Sequence, residues 1–287
     1  MDMKNYGYMG PKENTNKRFR TYFKLSLIAI ILVIVIALFY ACQQKNKTPL
    51  DFDNVNLVQL KVPDDDAPVV VFETSLGTFK SVLYPDEAPE YCQYFTNLVE
   101  KGYYDGTYIS MVKDEVYFIG GTKQADGVTT SDTDTTEISA EELSKNLWPF
   151  KGALCAYTYE NGFLMWKNKV SNSYLLFVND YKLTDEEQSE LDKYLEEGSV
   201  NKEVTNVYME QGGVLNFSQQ YTVFGQTYDG MDVYEKICGY DVKNAEEDNL
   251  QPIDDIIFEK VYMSTYGENK KDEAFSNKAV SSDADSE

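Results

Sequence analysis

The chain has 287 residues, with 48 acidic and 26 basic side chains and a formal net charge of −22. It contains no histidine, and no arginine follows Arg20. These absences exclude histidine-dependent triads and zinc sites, and they leave the body of the chain without a guanidinium to grip a carboxylate or phosphate. Because so acidic a body repels phosphate backbones, nucleic-acid binding is excluded too. No cofactor or metal is expected.

The first predicted element is a transmembrane anchor at residues 25–41, which read LSLIAIILVIVIALFYA without a charge. At about 1.5 Å per residue this run gives roughly 26 Å of helix, enough to span a bilayer with flanking anchors. Cations cluster before it, so residues 1–24 are predicted to be cytoplasmic and the rest exported. The expected location is the cell membrane, with a single span and an extracytoplasmic domain.

Cys42 follows the anchor, at the place where a lipoprotein cleavage box would put a lipidated cysteine. Such a box prefers smaller residues than Phe39 and Tyr40. Lipidation of Cys42 and an uncleaved helix are therefore both left open.

The exported part divides by composition. Residues 42–66 are polar and predict a linker, and residues 265–287, rich in Ser, Asp, Glu and Lys, predict a disordered tail. The folded unit is therefore expected at 67–264. Many short apolar runs separated by turn residues predict a mainly β architecture with few helices.

In chain order, strands are predicted at Val69–Glu73 and Phe79–Tyr84, followed by a helix over residues 86–101 whose apolar positions recur at helical spacing. Six further strands are predicted at Thr107–Val112, Val116–Ile119, Gly152–Thr158, Tyr174–Val178, Tyr221–Gly225 and Ile256–Met263. One early helix among many short strands indicates a closed barrel with helical caps.

Residues 181–213 interrupt this pattern as a predicted helical insertion. Thr184 and Glu187 form a capping box, and Asn201 begins a second short helix. The apolar stripes of both helices predict docking on the barrel; a lid or partner surface is the alternative.

Three cysteines lie in the folded unit: Cys92, Cys155 and Cys238. Their spacing matches no metal knuckle or redox pair, so they are interpreted as small buried apolar residues. A disulfide among them is the alternative in an oxidising compartment.

Three blocks of sequence resemble the cyclophilin-type peptidyl-prolyl isomerases. They are ETSLGTFKSVLYPDEAPEYCQYFTNLVEKGYYDGT at 73–107, WPFKGALCAYT at 148–158, and YTVFGQTYDGMDVYEKI at 221–237. The resemblance implies a closed eight-stranded antiparallel barrel capped by two helices, the second including Met231–Ile237. It also implies rotation about the Xaa-Pro bond, whose barrier is near 20 kcal/mol. The chain is thus similar to a membrane-anchored bacterial member of that family.

In the family, an arginine donates a hydrogen bond toward the prolyl nitrogen in the twisted transition state, and an apolar pocket holds the proline ring. The family's active strand reads FHRVIPGFMIQGGD, and residues 109–122 align with it through Gly120 and Gly121. Met111 then stands at the arginine position, Val116 at a pocket phenylalanine and Ile119 at the glutamine that binds substrate backbone. The implied active site is therefore degenerate.

The remaining departures follow from two more family motifs. SQFFI becomes SYLLF here, which places Leu176 at the second pocket phenylalanine. WLDGxHTVFG becomes NFSQQYTVFG, which places Asn216 at the tryptophan, Phe217 at the leucine and Tyr221 where histidine is common. Lys113 is expected to face away from Met111, so no cation replaces the arginine.

The resemblance thus implies an isomerase homologue that acts on or binds proline-containing segments of exported proteins, with catalysis weak or lost. The predicted peptide-binding groove comprises Met111, Val116, Ile119, Leu176, Phe217 and Tyr221. Residual isomerase activity, non-catalytic binding of peptides or proteins, and a purely structural role are all left open. A surface or cell-wall interaction module that uses the barrel as a scaffold is the unrelated alternative.

Overall fold

A computed structural model of the chain describes residues 54–127, 138–139, 142–163, 166–197, 200–244 and 249–269. The predicted anchor at 25–41 and Cys42 lie outside the described residues. No helix within those ranges is long and apolar enough to cross a membrane. The described residues belong to one compact unit, residues 51–287.

The described residues form eleven strands and five α-helices. The strands are β1 (Pro68–Thr74), β2 (Gly77–Leu83), β3 (Thr107–Lys113), β4 (Tyr117–Thr122), β5 (Ile138–Ser139), β6 (Ala153–Phe163), β7 (Trp166–Val178), β8 (Val223–Asp229), β9 (Val242–Asn244), β10 (Asn249–Pro252) and β11 (Ile256–Thr265). The helices are α1 (Pro89–Glu100), α2 (Asp185–Glu196), α3 (Lys202–Gln211), α4 (Met231–Cys238) and α5 (Tyr266–Asn269).

Eight strands close into an antiparallel barrel in the order β4-β3-β11-β1-β2-β8-β6-β7, and β7 pairs with β4 to complete it. The short strand β5 adds to the outer length of β7, and β9 and β10 form a separate pair. Closure removes the exposed strand edges that an open sheet would leave. The predicted mainly β, eight-stranded closed barrel with capping helices is confirmed.

Aromatic rings fill the barrel interior. Phe72 stacks on Phe79 at a centroid distance of 4.8 Å, and Phe118 stacks on Phe177 at 4.3 Å. Helix α4 adds Tyr234, whose hydroxyl donates to the Val178 carbonyl at 2.7 Å. Since alternate residues of a strand face opposite sides, fixing these rings inside also fixes which residues of β3, β4 and β7 face outward.

Helix α1 begins at Pro89, three residues later than predicted. Proline suits the first helical position, because its missing N–H would have no helical partner there. The N-terminal amides are capped from outside the helix, since the Glu142 carboxylate accepts from the backbone N–H groups of Glu90 and Tyr91 at 2.8 and 2.7 Å. A cap from 50 residues away leaves no local sequence signal.

Strands β6 and β7 are longer than predicted and form a hairpin that continues past the barrel to the pair Phe163–Trp166. Their outer halves read YENGF and WKNKVSN, which lack a sustained apolar alternation. Strand β8 begins at Val223 instead of Tyr221, because residues 218–221 form the turn before it. The two helices of the insertion start at the predicted caps, Thr184 and Asn201.

Cys92, Cys155 and Cys238 are free and buried. Burial raises the pKa of the Cys92 thiol to about 12, although the backbone at Tyr84 opposes part of that rise. All three thiols therefore stay protonated and unreactive, as expected of small core residues.

The described end of the predicted linker packs on the barrel. Leu57 is buried, and the buried Gln59 side chain accepts from the Trp148 backbone N–H at 2.6 Å and donates to the Trp148 carbonyl at 2.9 Å. The linker prediction is therefore wrong for residues 57–60. In the sequence, Gln59 cannot be told from a solvated linker residue, because these two hydrogen bonds are made to a backbone far along the chain.

The folded unit also extends slightly beyond the predicted boundary at 264. Strand β11 continues to Thr265, and Tyr266 of α5 is buried against Tyr228 with a centroid distance of 5.3 Å. The rest of the predicted tail lies outside the described residues.

Candidate functional site

The barrel register brings three of the predicted groove residues side by side. Met111 of β3 pairs with Ile119 of β4, Ile119 pairs with Leu176 of β7, and Leu176 pairs with Cys155 of β6. Their strand neighbours Val112 and Phe118 belong to the barrel interior, so this row faces the outside of the barrel.

The other three predicted residues pack on the same outer row. Val116 is the last residue of the β3–β4 turn, Phe217 ends a short 3-10 helix at Leu215–Phe217, and Tyr221 lies just before β8. The Phe217 and Tyr221 rings meet edge to face at a centroid distance of 5.0 Å. One apolar cluster contains all six predicted residues, so the structure unites segments that are more than 100 positions apart.

Exposure divides the six into a floor and a rim. Ile119 and Leu176 are 5% and 2% exposed, so they form a covered floor. Met111, Val116, Phe217 and Tyr221 are only partly buried and surround that floor. Together the six residues form an outward-facing apolar surface with a buried floor and a half-buried rim, which we call the groove. Such a surface suits contact with an extended apolar segment.

Two groove tyrosines were not predicted. The Tyr117 hydroxyl lies 3.9 Å from Met111 Sδ, and its ring is 5.8 Å from the Phe217 ring. Tyr157 of β6 packs on the same cluster. Because Tyr117 is two positions from Ile119 on one strand, alternation would have placed it in the groove.

Tyr117 and Tyr221 stay protonated at neutral pH. Burial raises the pKa of Tyr117, and proximity to Tyr157 raises it further. Burial also raises the pKa of Tyr221, with added effects from Tyr157, Tyr117 and Cys155. Each of these two hydroxyls is therefore available as a neutral hydrogen-bond donor.

The predicted orientation of Lys113 is wrong. Side chains two positions apart on a regular strand project to the same side. Val112 faces the interior, so its neighbours Met111 and Lys113 share the outer face. Lys113 is exposed at the end of β3, opposite Tyr117. A strand separation of two residues puts its backbone roughly 7 Å from that of Met111.

The groove carries no metal-binding group. Among the residues that the structure describes, no cluster of three or more Asp, Glu or Cys side chains could hold a metal ion. Polar groups at the site are tyrosine hydroxyls, which suit hydrogen bonds to peptide acceptors.

The sequence model for "Cyclophilin type peptidyl-prolyl cis-trans isomerase/CLD" matches residues 69–262, about two thirds of the chain. The chain belongs to the cyclophilin-type peptidyl-prolyl isomerase family. The matched range covers all but the outermost residues of the barrel and includes every residue of the groove. The cyclophilin resemblance of the three sequence blocks is confirmed.

Two curated relatives are each named "Putative peptidyl-prolyl cis-trans isomerase". The protein of Staphylococcus saprophyticus is 27% identical over 198 residues, and that of Staphylococcus aureus strain USA300 is 26% identical over 192 residues. Each alignment covers 67% of this chain and 89% of the relative.

Among solved structures, a Cryptosporidium parvum cyclophilin-type isomerase superposes with a TM-score of 0.50 and 16% identity. The superposition covers 69% of this chain and 98% of that one. It supports the barrel fold, and the superposed part includes nearly the whole Cryptosporidium protein.

Backbone geometry supports the alignment that places Met111 at the cyclophilin arginine. Only Glu115 and Gln219 among the described non-glycine residues have a positive φ, at 57° and 59°. Both stand where the family motifs, FHRVIPGFMIQGGD and WLDGxHTVFG, have glycine. The backbone thus keeps a left-handed turn that glycine adopts readily and other residues adopt at a cost.

Replacing Glu115 by glycine is expected to raise the free energy of unfolding by about 1 kcal/mol, because it relieves the left-handed backbone. The Glu115 backbone N–H donates to the Cys238 carbonyl, and the Glu115 carbonyl accepts from the Asn179 side chain. Neither hydrogen bond needs the Glu115 side chain. The matched control is Asp114→Gly in the same turn, which should destabilise the domain. Urea unfolding of both variants checks this, and a loss of stability in Glu115→Gly would contradict it.

Proposed function

We propose that this cyclophilin holds proline-containing segments of exported polypeptides in its outer groove, on the outer side of the cell membrane, with weak or no isomerase activity. It acts as a peptide-binding member of the family and needs no cofactor. The groove supplies apolar contact to the proline and its neighbours, and tyrosine hydroxyls supply hydrogen bonds.

One observation carries the proposal: Met111, which the alignment places at the family's arginine position, lies in register with Ile119, and Ile119 with Leu176. A thioether cannot donate a hydrogen bond, so it cannot stabilise the twisted amide nitrogen. Removal of one donor aimed at a transition state costs about 2.7–4 kcal/mol, or 10²–10³ in rate.

Retention of an apolar groove supports binding. Met111, Val116 and Phe217 are half-buried around a floor that faces outward from the barrel, which leaves apolar surface for a peptide to cover. Apolar surface removed from water contributes about 25 cal/mol per Å², so a short peptide can gain useful affinity there.

Sequence supports the location. The uncharged run at 25–41 follows a cationic flank, and the domain after it is acidic, which favours an exported body held by an N-terminal anchor. Its expected clients are therefore exported polypeptides that meet the domain as they leave the membrane.

Equilibrium binding tests the proposed activity. The full chain, held in detergent micelles, is titrated with the neutral blocked peptide acetyl-Ala-Ala-Pro-Ala-amide and with the same peptide in which alanine replaces proline. The proline peptide should bind at least several-fold more tightly. Equal affinity for both peptides, or no binding of either, would contradict peptide binding through the groove.

Antibody access tests the proposed location. An epitope tag placed after Glu287 should be labelled on intact cells without permeabilisation. A tag that is labelled only after permeabilisation would place the domain in the cytoplasm. This result would leave the binding measurement untouched, so location and activity are tested separately.

A further inference from the structure

The Tyr117 hydroxyl lies where it can contact a ligand bound at Met111. Its oxygen lies 3.9 Å from Met111 Sδ, at the partly exposed rim of the groove. This sulfur accepts from the hydroxyl, and a thioether is a weak acceptor. A stronger acceptor that enters the groove will therefore displace the sulfur.

The chemistry of a planar Xaa-Pro bond decides which ligand atom accepts. Resonance removes the nitrogen lone pair, so a planar prolyl amide offers only its carbonyl oxygen. The neutral phenol of Tyr117 is a donor suited to that oxygen, and burial keeps it protonated by raising its pKa.

We propose that Tyr117 donates a hydrogen bond to the carbonyl oxygen of the bound Xaa-Pro bond, and that this bond makes the groove selective for the planar amide. This inference rests on the proposed peptide binding and names a residue that holds the bound amide in its planar state. A bond to the carbonyl oxygen favours the charge-separated resonance form, which strengthens the partial double bond. It therefore stabilises the planar ground state instead of the twisted state.

Only contacts that are stronger in the transition state accelerate a reaction. A ground-state donor at Tyr117 lowers the dissociation constant and slows rotation of the bound peptide by the same factor. The missing arginine and the added tyrosine hydroxyl thus act in the same direction. Both favour the planar ground state of the bound peptide over the twisted transition state.

The variant Tyr117→Phe tests this role, because it keeps the ring that packs on Phe217 at 5.8 Å and removes only the hydroxyl. The dissociation constant for acetyl-Ala-Ala-Pro-Ala-amide should rise about three- to tenfold, the usual effect of one neutral hydrogen bond. The rate constant of cis–trans exchange within the bound peptide should rise by the same factor. It is measured at saturation from the return to equilibrium after a temperature or solvent jump.

Tyr240→Phe is the matched control, since its hydroxyl contacts Asp254 outside the groove at 3.2 Å. It should change neither quantity. A peptide whose Xaa-Pro carbonyl is a thiocarbonyl, a poorer acceptor, should bind wild type more weakly and lose little further affinity in Tyr117→Phe.

Each other result overturns the inference. An unchanged dissociation constant in Tyr117→Phe would show that the hydroxyl only fills space beside Met111. A slower exchange rate in the bound peptide would show that Tyr117 serves the transition state. A wild-type chain that binds no proline peptide would overturn the proposed function itself, which the first titration reveals before any variant is compared.

Discussion

The full chain is expected to accelerate Xaa-Pro isomerisation about 10²–10³-fold less than a cyclophilin that retains the groove arginine. The physical reason is the loss of a charged donor in a groove whose floor is wholly apolar, with Ile119 and Leu176 almost fully buried. Lys113 shares the outer face with Met111, but it is exposed at the strand end opposite Tyr117. Its flexible, solvated ammonium is a poor replacement for a planar guanidinium fixed over the substrate.

The measurement is a protease-free isomerisation assay with a cyclophilin of intact active site run in parallel. The matched variant is Lys113→Ala, which should leave the slow rate of this chain unchanged. A rate equal to that of the reference cyclophilin would contradict the account. A slow wild-type rate that disappears in Lys113→Ala would identify the lysine as a substitute donor.

Restoring the arginine alone is expected to recover little activity. In Met111→Arg the guanidinium would lie beside Ile119 and Tyr117. By the alignment, this groove lacks the family's backbone-binding glutamine and both pocket phenylalanines. Productive orientation depends on all of these contacts, and misplacement by about 1 Å can cost 10²-fold in rate. We expect kcat/KM to rise less than tenfold.

The comparison is the fourfold variant Met111→Arg, Val116→Phe, Ile119→Gln and Leu176→Phe, which should exceed the single variant by at least tenfold. Because Leu176 is buried, circular dichroism and thermal unfolding must first show that this variant folds. If it does not, Met111→Arg with Ile119→Gln is the smaller comparison, since both changes lie on one strand pair. Full recovery by Met111→Arg alone would show that the rest of the pocket is intact.

The barrel could be predicted from the sequence, because its strands show as short apolar runs and three blocks resemble the cyclophilins. The six groove residues came from the alignment anchored at glycines 120 and 121, and the structure gathers these residues into one apolar cluster. The caps of the insertion helices were also local, at Thr184 and Asn201, and were predicted at the right residues.

What sequence did not predict depends on contacts between distant segments. Gln59 acts as part of the folded unit only because the Trp148 backbone, 89 positions away, meets its amide. The start of α1 depends on the carboxylate of Glu142. Tyr117 needed only the alternation rule, but its importance comes from the distance between its hydroxyl and the Met111 sulfur, which no sequence pattern gives.

A single NMR titration tests the central claim most directly. The chain is labelled at its methionine methyl groups and titrated with acetyl-Ala-Ala-Pro-Ala-amide, while cis–trans exchange of the peptide is recorded in the same samples. We predict that the Met111 methyl resonance shifts with saturation and that peptide exchange stays near its uncatalysed rate. A saturable shift together with fast exchange would contradict the loss of catalysis, and an unperturbed Met111 resonance would contradict binding in the groove.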